Sequence, residues 1–326
     1  MLLYSRLREL QGYHRVRDRR DRRGMNLQGG GRYLTAGVIG FGAGSCLGLV
    51  GWGGAQIIIP SLTGLGMSQL AASSTSLASL GCSVITGAGQ FVLEDKADLS
   101  VAAAIALPSM LGARLGSLLA ARLLGEVHAL IFNGMSVILL PTHFLVQRRR
   151  QQLDEAAAAA KSTTESSDTV CEEQNAAAAV RETTTFGRED MRALTSHSAF
   201  GLFSGILSAL MGVGGLPITM SYLTLCVPEL PHHLVQGTAM VSVAPAVVVS
   251  SASHAFAGHT PLGIAACVTC GGITGSVVGA QAALRLEEVQ LRQLYMLSLL
   301  VLGGRSFIGA GLNIHRLMRA RSRGGR

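Results

Sequence analysis

The sequence predicts an all-α membrane protein of about eight transmembrane helices, arranged as two related four-span repeats whose first helices are broken by glycine. Three observations predict it. The 326 residues are 48% hydrophobic and only 14% charged, whereas a soluble domain carries about a quarter charged residues. The charges gather between apolar runs. Landmarks of the first half recur in the second in a nearly constant register.

The charge map sets the boundaries. Nine Arg and three acids lie in residues 1–32, five Arg lie in 316–326, and 148–195 hold seven basic and nine acidic groups. The apolar remainder carries only 13 charged side chains, most of them at breaks between hydrophobic runs. Hydrocarbon excludes isolated charge, so these clusters mark the turns. The organisation read from this is a basic cytosolic arm at 1–32, a first repeat at 33–147, a flexible cytosolic linker at 148–195, a second repeat at 196–313 and a basic cytosolic tail at 314–326.

The arm has no apolar core of signal-peptide type. Its Arg15 to Arg23 run reads as a cytosolic anchor for the first span, with an organelle transit sequence as the alternative. The apolar runs are 33–63, 70–93, 99–121, 127–147, 197–226, 233–257, 261–284 and 291–313. Each is long enough to cross, and the first of each half is too long for one straight helix. Gly51-Trp52-Gly53-Gly54 and Gly212-Val213-Gly214-Gly215 interrupt those two runs. Each reads as one broken crossing, or as a crossing plus a re-entrant piece. The linker holds two Ala runs and a Ser/Thr/Glu-rich stretch but no apolar face, which makes it a tether. Arginine in the arm, at Arg148 to Arg150 and in the tail puts all three on the cytosolic side. That demands an even number of crossings per half, and with it one shared orientation for the two halves.

The six cysteines show no secreted-domain spacing, and Cys267 and Cys270 read as small helix-facing residues. No phosphate-binding loop or catalytic triad stands in a supporting context, so neither an enzyme nor a cofactor is expected.

The repeat is specific. Gly44, Gly51, Gly53 and Gly54 match Gly205, Gly212, Gly214 and Gly215 at an offset of 161. Ser74-Thr75-Ser76, Gly112, Gly116 and Arg122 match Gly237-Thr238-Ala239, Gly275, Gly279 and Arg285 at an offset of 163. Duplication with discontinuous helices is a transporter signature. These motifs, with Pro60 after the first break, resemble the sulfite exporter TauE/SafE family over about residues 33–312, linker excluded. The resemblance implies a polytopic protein with two such repeats, exporting sulfite or small organosulfonates. The family pattern favours Gly-Thr-Ser, whereas here Ser74 replaces the Gly in one copy and Ala239 replaces the Ser in the other. Pro60 also has no counterpart, since Ser221 aligns with it. The two half-sites are therefore not chemically equal.

The expected substrate-binding residues are Gly53, Gly54, Thr75, Ser76, Gly214, Gly215, Thr238 and Arg114. Broken helices bare backbone N–H groups at a positive helix end, which suits an anion. Thr75, Ser76 and Thr238 add hydroxyls, whose alternative role is bonding to a helix carbonyl one turn back. Arg114, about eight residues into the third crossing, offers a planar donor fork, with snorkelling as its alternative. Gly112-x3-Gly116 and Gly275-x3-Gly279 read as packing faces. No Asp or Glu lies deep in a crossing, so a proton would have to move through His254 or His143. The expected function is secondary transport or facilitated movement of a small anion, the alternative being a non-transporting membrane scaffold. The expected partners are that anion and the bilayer, not nucleic acid; homo-oligomerisation is left open, as is the choice between plasma and organelle membrane.

Overall fold

The computed structural model describes residues 30–51, 54–123, 188–226, 231–287 and 289–298, with a few isolated positions besides. The expected crossing at 127–147, the later part of 291–313, the tail, and nearly all of the arm and of 148–187 lie outside the described residues.

Every regular element among the described residues is a helix. They are α1 (Gly30–Val50), α2 (Gly54–Gly64), α3 (Gln69–Leu93), α4 (Leu99–Ala120), α5 (Arg188–Met211), α6 (Leu216–Cys226), α7 (His232–Phe256) and α8 (Leu262–Arg285). Residues 289–298 are helical too. Six of these, α1, α3, α4, α5, α7 and α8, are long and apolar enough to cross a membrane. The helices α2 and α6 have 11 residues each. At 1.5 Å per residue that is about 16 Å, roughly half of a hydrocarbon layer. Helix α5 begins at Arg188, inside the expected linker.

Local chemistry sets several starts. Ser68 accepts a hydrogen bond from the Ala71 N–H at 3.4 Å and opens α3. Asp98 accepts from Ser100 and Val101 N–H at 2.9 and 3.1 Å and opens α4. Pro231 and Pro261 precede α7 and α8, where a missing N–H breaks no helical bond.

Glycine decides which helices meet. A Cβ on Gly40 or Gly44 of α1 would strike the backbone of Val268 or Gly272 in α8, and one on Gly275 or Gly279 would strike Phe41 or Ser45 of α1. The other pair is built alike. Gly201 and Gly205 of α5 lie on the backbones of Ile105 and Ser109 in α4, and Gly112 and Gly116 lie on Leu202 and Ile206. Backbone-to-backbone contact of this kind is how membrane helices associate where water exerts no hydrophobic drive. The α1–α8 and α4–α5 pairs are the most extensive in the protein, followed by α4–α7, α3–α8 and α3–α7.

The contacts also fix direction. Residue numbers rise together in α1 against α8 and in α4 against α5, so each pair is parallel. Helix α3 is parallel to α8: Ser74 donates to the His259 carbonyl at 3.0 Å, Ser79 to Val268 at 3.2 Å, and Thr86 shares a 2.7 Å bond with Ser276. Helix α4 is parallel to α7, through Asp98 with Thr238 and Arg114 with Ser253. The start of α3 therefore meets the end of α7, and the start of α7 meets the end of α3, where Gly237 lies against Lys96 and Phe91. Helices α3 and α7 are antiparallel.

Two expectations are corrected here. The halves were expected to share one orientation, yet their matched helices α3 and α7 oppose each other. The first run was expected to cross once. Both α1 and α3 run with α8, so the chain between them, 51–68, must travel back. The physical reason is the Gly51 reversal: with φ at +71° it turns the chain over, and glycine alone adopts that conformation without strain. A further consequence is geometric. Helix α4 ends on the face where α1 begins, and α5, parallel to α4, begins on the other face.

Replacing Gly44 with Val should prevent the α1–α8 approach and cost about 2 kcal/mol or more, as overpacking does. Gly42→Ala, whose Cβ meets nothing within 4 Å, should leave stability near wild type. Thermal unfolding of the purified protein in detergent checks the difference.

Candidate functional site

The two reversals lie at opposite faces of the helical layer. Gly51 sits by Gln236 in the first turns of α7, whose Nε2 donates to the Gly48 carbonyl at 2.9 Å. Gly212, with φ at +76°, sits against Ser73 in the first turns of α3, and Ser76 donates to its carbonyl at 3.2 Å. From these points the chain turns inward and each short helix starts inside the layer.

The two starts come together. A Cβ on Gly54, at the start of α2, would lie 3.2 Å from Leu80 Cδ2. A Cβ on Gly214, just before α6, would lie 3.3 Å from Leu80 Cδ1 and 3.4 Å from Val247 Cγ2. Leu80 is fully buried near the centre of α3. Two helix N-termini, each carrying about half a positive charge, thus aim at one region from opposite faces. The glycines keep it open, since Gly214 and Gly215 have φ of +80° and +76° and carry no side chain. Among the described residues no Arg, Lys, Asp or Glu is buried, so the charge there is that of the backbone alone.

Of the residues expected to bind substrate, Gly54, Ser76, Gly214 and Gly215 are brought to this region. Gly53 lies outside the described residues. Thr75 and Thr238 are not brought together, because antiparallel α3 and α7 hold them at opposite faces. Thr238 Oγ1 accepts a hydrogen bond from the Asp98 N–H at 2.9 Å and so fastens the start of α4. Thr75 Oγ1 is buried and makes no hydrogen bond. The repeat offset explains the difference: position 98 falls on 261, a proline, which has no N–H to donate. Arg114 is exposed near the far end of α4, donating to Ser253 Oγ at 2.9 Å, away from Leu80.

Sequence reasoning missed Ser204, Ser208 and Thr219. Both serines are almost fully buried on α5, and a Cβ on Gly215 would lie 3.2 Å from Ser204 Oγ and 3.5 Å from Ser208 Oγ. Ser204 and Thr219 share a 3.2 Å hydrogen bond, and Thr219 donates to the Gly215 carbonyl at 3.1 Å. Farther along the same hairpin Phe200 stacks on Tyr222 with ring centroids 3.7 Å apart, and His197 Nδ1 lies 2.9 Å from the Tyr222 hydroxyl. The signal was present: serines four apart, each beside the helix face whose glycines pack on α4.

The family model for the sulfite exporter TauE/SafE matches residues 36–306, most of the chain. The chain belongs to the sulfite exporter TauE/SafE family. It is thereby an integral, multi-pass membrane protein of a transporter family. No curated protein and no solved structure matches it.

For this member of the family, Thr238→Val should leave the Asp98 N–H without an acceptor and cost about 1–2 kcal/mol in thermal unfolding. Its anion affinity should stay within about twofold of wild type, because Thr238 lies at the far face. A large affinity loss with unchanged stability would put Thr238 in the binding region instead.

Proposed function

We propose that the protein is a secondary transporter or facilitator of a small anion of the sulfite or organosulfonate kind, bound where α2 and α6 begin. One observation carries this reading: two half-length helices enter from opposite faces and start against the same side chain, Leu80. Their free N–H groups and dipoles favour negative charge. In lipid a broken helix is tolerated only where protein or water surrounds it. Gly53, Gly54, Gly214, Gly215 and Ser76 are the backbone and hydroxyl groups assigned to the site. Thr75, beside Ser76 and with a buried, unbonded hydroxyl, stays a candidate for the site, while Thr238 and Arg114 are engaged elsewhere, with the Asp98 N–H and Ser253.

We also read the chain as a duplicated fold in inverted topology. Gly40 and Gly44 correspond to Gly201 and Gly205 at an offset of 161, and the residues they touch, Val268 and Gly272 against Ile105 and Ser109, differ by 163. The repeat in sequence is thus matched by a repeat in contacts, with the partners exchanged between halves. Inverted halves need an odd number of crossings each. Five follow if 51–68 returns through the layer and 127–147 crosses after α4. The Arg-rich arm then marks the cytosolic face. The linker falls on the opposite face, in keeping with its nine acidic against seven basic groups.

The linker carries a native probe, Cys171. With the other five cysteines replaced by Ala, a membrane-impermeant maleimide should label Cys171 from the side opposite the N-terminal arm. Labelling only after the cytosolic face is opened would overturn the inverted reading.

Flux of sulfite, methanesulfonate and acetate in proteoliposomes tests the function. Gly214→Val should lower anion flux at least about 10-fold, since a branched side chain both strains the φ and fills the approach to Leu80. Gly89→Ala, whose Cβ meets nothing within 4 Å, should leave flux unchanged. A wild-type protein that moves none of these anions would remove the reading.

A further inference from the structure

The anion site is one-sided. At the offset of 161, Ser204, Ser208 and Thr219 fall on Ala43, Leu47 and Ile58. The three hydroxyls by the start of α6 thus have hydrocarbon side chains at the matched positions of the other half. Ser208 is the informative group. Membrane serines satisfy their proton on the carbonyl one turn back, as Ser45, Ser83, Ser117 and Ser253 do here at 2.7 to 2.9 Å. Ser208 makes no such bond; it is 1% exposed and its Oγ has no partner. An unmade hydrogen bond in a buried place costs about 1–3 kcal/mol, so the site holds a donor ready for an acceptor. That donor points at Gly215, where the missing side chain leaves the backbone of the α6 N-terminus bare.

We propose that Ser208, with Ser204, binds one oxyanion at the α6 N-terminus, and that this site takes singly charged anions and rejects dianions. The inference rests on the anion reading above and adds the ligand residues and the charge class. The selection follows from what the site lacks. No cationic side chain is buried among the described residues, so stabilisation comes from neutral hydroxyls, N–H groups and the dipoles of α2 and α6, about half a charge each. The cost of bringing an ion out of water grows with the square of its charge. Two half-charges and a few neutral donors can offset that cost for a sulfonate, a carboxylate or bisulfite. They fall far short for sulfate or doubly ionised sulfite. The two N-termini converge on one side chain, Leu80, and so share one region, which takes one anion.

The test is calorimetric binding to the purified full chain in detergent at pH 7. Methanesulfonate, always singly charged, and sulfate, always doubly charged, are the probes. Methanesulfonate should bind with one ion per chain, and sulfate at least about 10-fold more weakly. Ser208→Ala should weaken methanesulfonate about 10-fold or more, the loss of one hydrogen bond to a charged group. Ser117→Ala, whose hydroxyl is already bonded to Ala113, should not. Sulfate binding as tightly as methanesulfonate, no methanesulfonate binding, or a Ser204→Ala/Ser208→Ala protein of wild-type affinity and normal elution would each overturn the proposal. The outcome separates from that of the flux experiment. Binding that behaves as stated in a protein without flux would keep this site and discard transport; flux that survives the double substitution would do the reverse.

Discussion

Close approach of helix backbones at glycine is the constraint on which the rest of this structure depends. Inside a bilayer, lipid tails are as apolar as leucine, so burying apolar side chains gains little. Helices hold together by van der Waals contact, and that contact is greatest where a Cβ is missing. Gly40 and Gly44 set α1 on α8; Gly201 and Gly205 set α5 on α4. Each first helix is thereby clamped to a helix of the other half. The clamps leave α3 and α7 side by side in the middle, running in opposite directions. The seam between them carries the breaks, with Ser76 on one and Gln236 on the other.

Much of this was legible in the sequence, and the illegible part has a physical cause. Six of the apolar runs became long helices, and both glycine breaks became reversals with positive φ. Gly112, Gly116, Gly275 and Gly279 proved to be packing residues, as the small-residue spacing suggested. Direction was not legible, because a hydrophobic run has the same composition whether it crosses up or down. It was inferred from arginine, which marks a side of the membrane and not the course of each helix, whereas the helix contacts fix direction pair by pair.

The site was legible in its backbone and not in its side chains. Glycine at Gly54, Gly214 and Gly215 betrays a conformation or an approach that other residues resist. Serine carries no such mark. Ser117 and Ser208 look alike in sequence and differ only in whether a carbonyl lies within reach of the hydroxyl. Arg114 was the attractive choice because charge in a crossing is costly. The structure places its guanidinium on the outside of the bundle in the later part of α4, where it donates to Ser253 Oγ, as a snorkelling side chain would.

The difference between the halves bears on mechanism. In an inverted pair, exchanging the conformations of the two halves turns an arrangement open to one face into its counterpart open to the other. Were the halves identical, the two arrangements would have equal energy. Here Ser204, Ser208 and Thr219 stand where the other half has Ala43, Leu47 and Ile58, and Pro261 stands where the other half has Asp98. Asp98 donates a backbone hydrogen bond to Thr238, while Thr75 has none to accept. The matched contact of α8 with the start of α3 is tied instead by Ser74, which donates to the His259 carbonyl at 3.0 Å where the other half has Gly237 against Lys96. Each of these contacts thus keeps one tie, made by a backbone N–H and a threonine in one half and by a serine and a backbone carbonyl in the other, so the same matched place is joined by different groups.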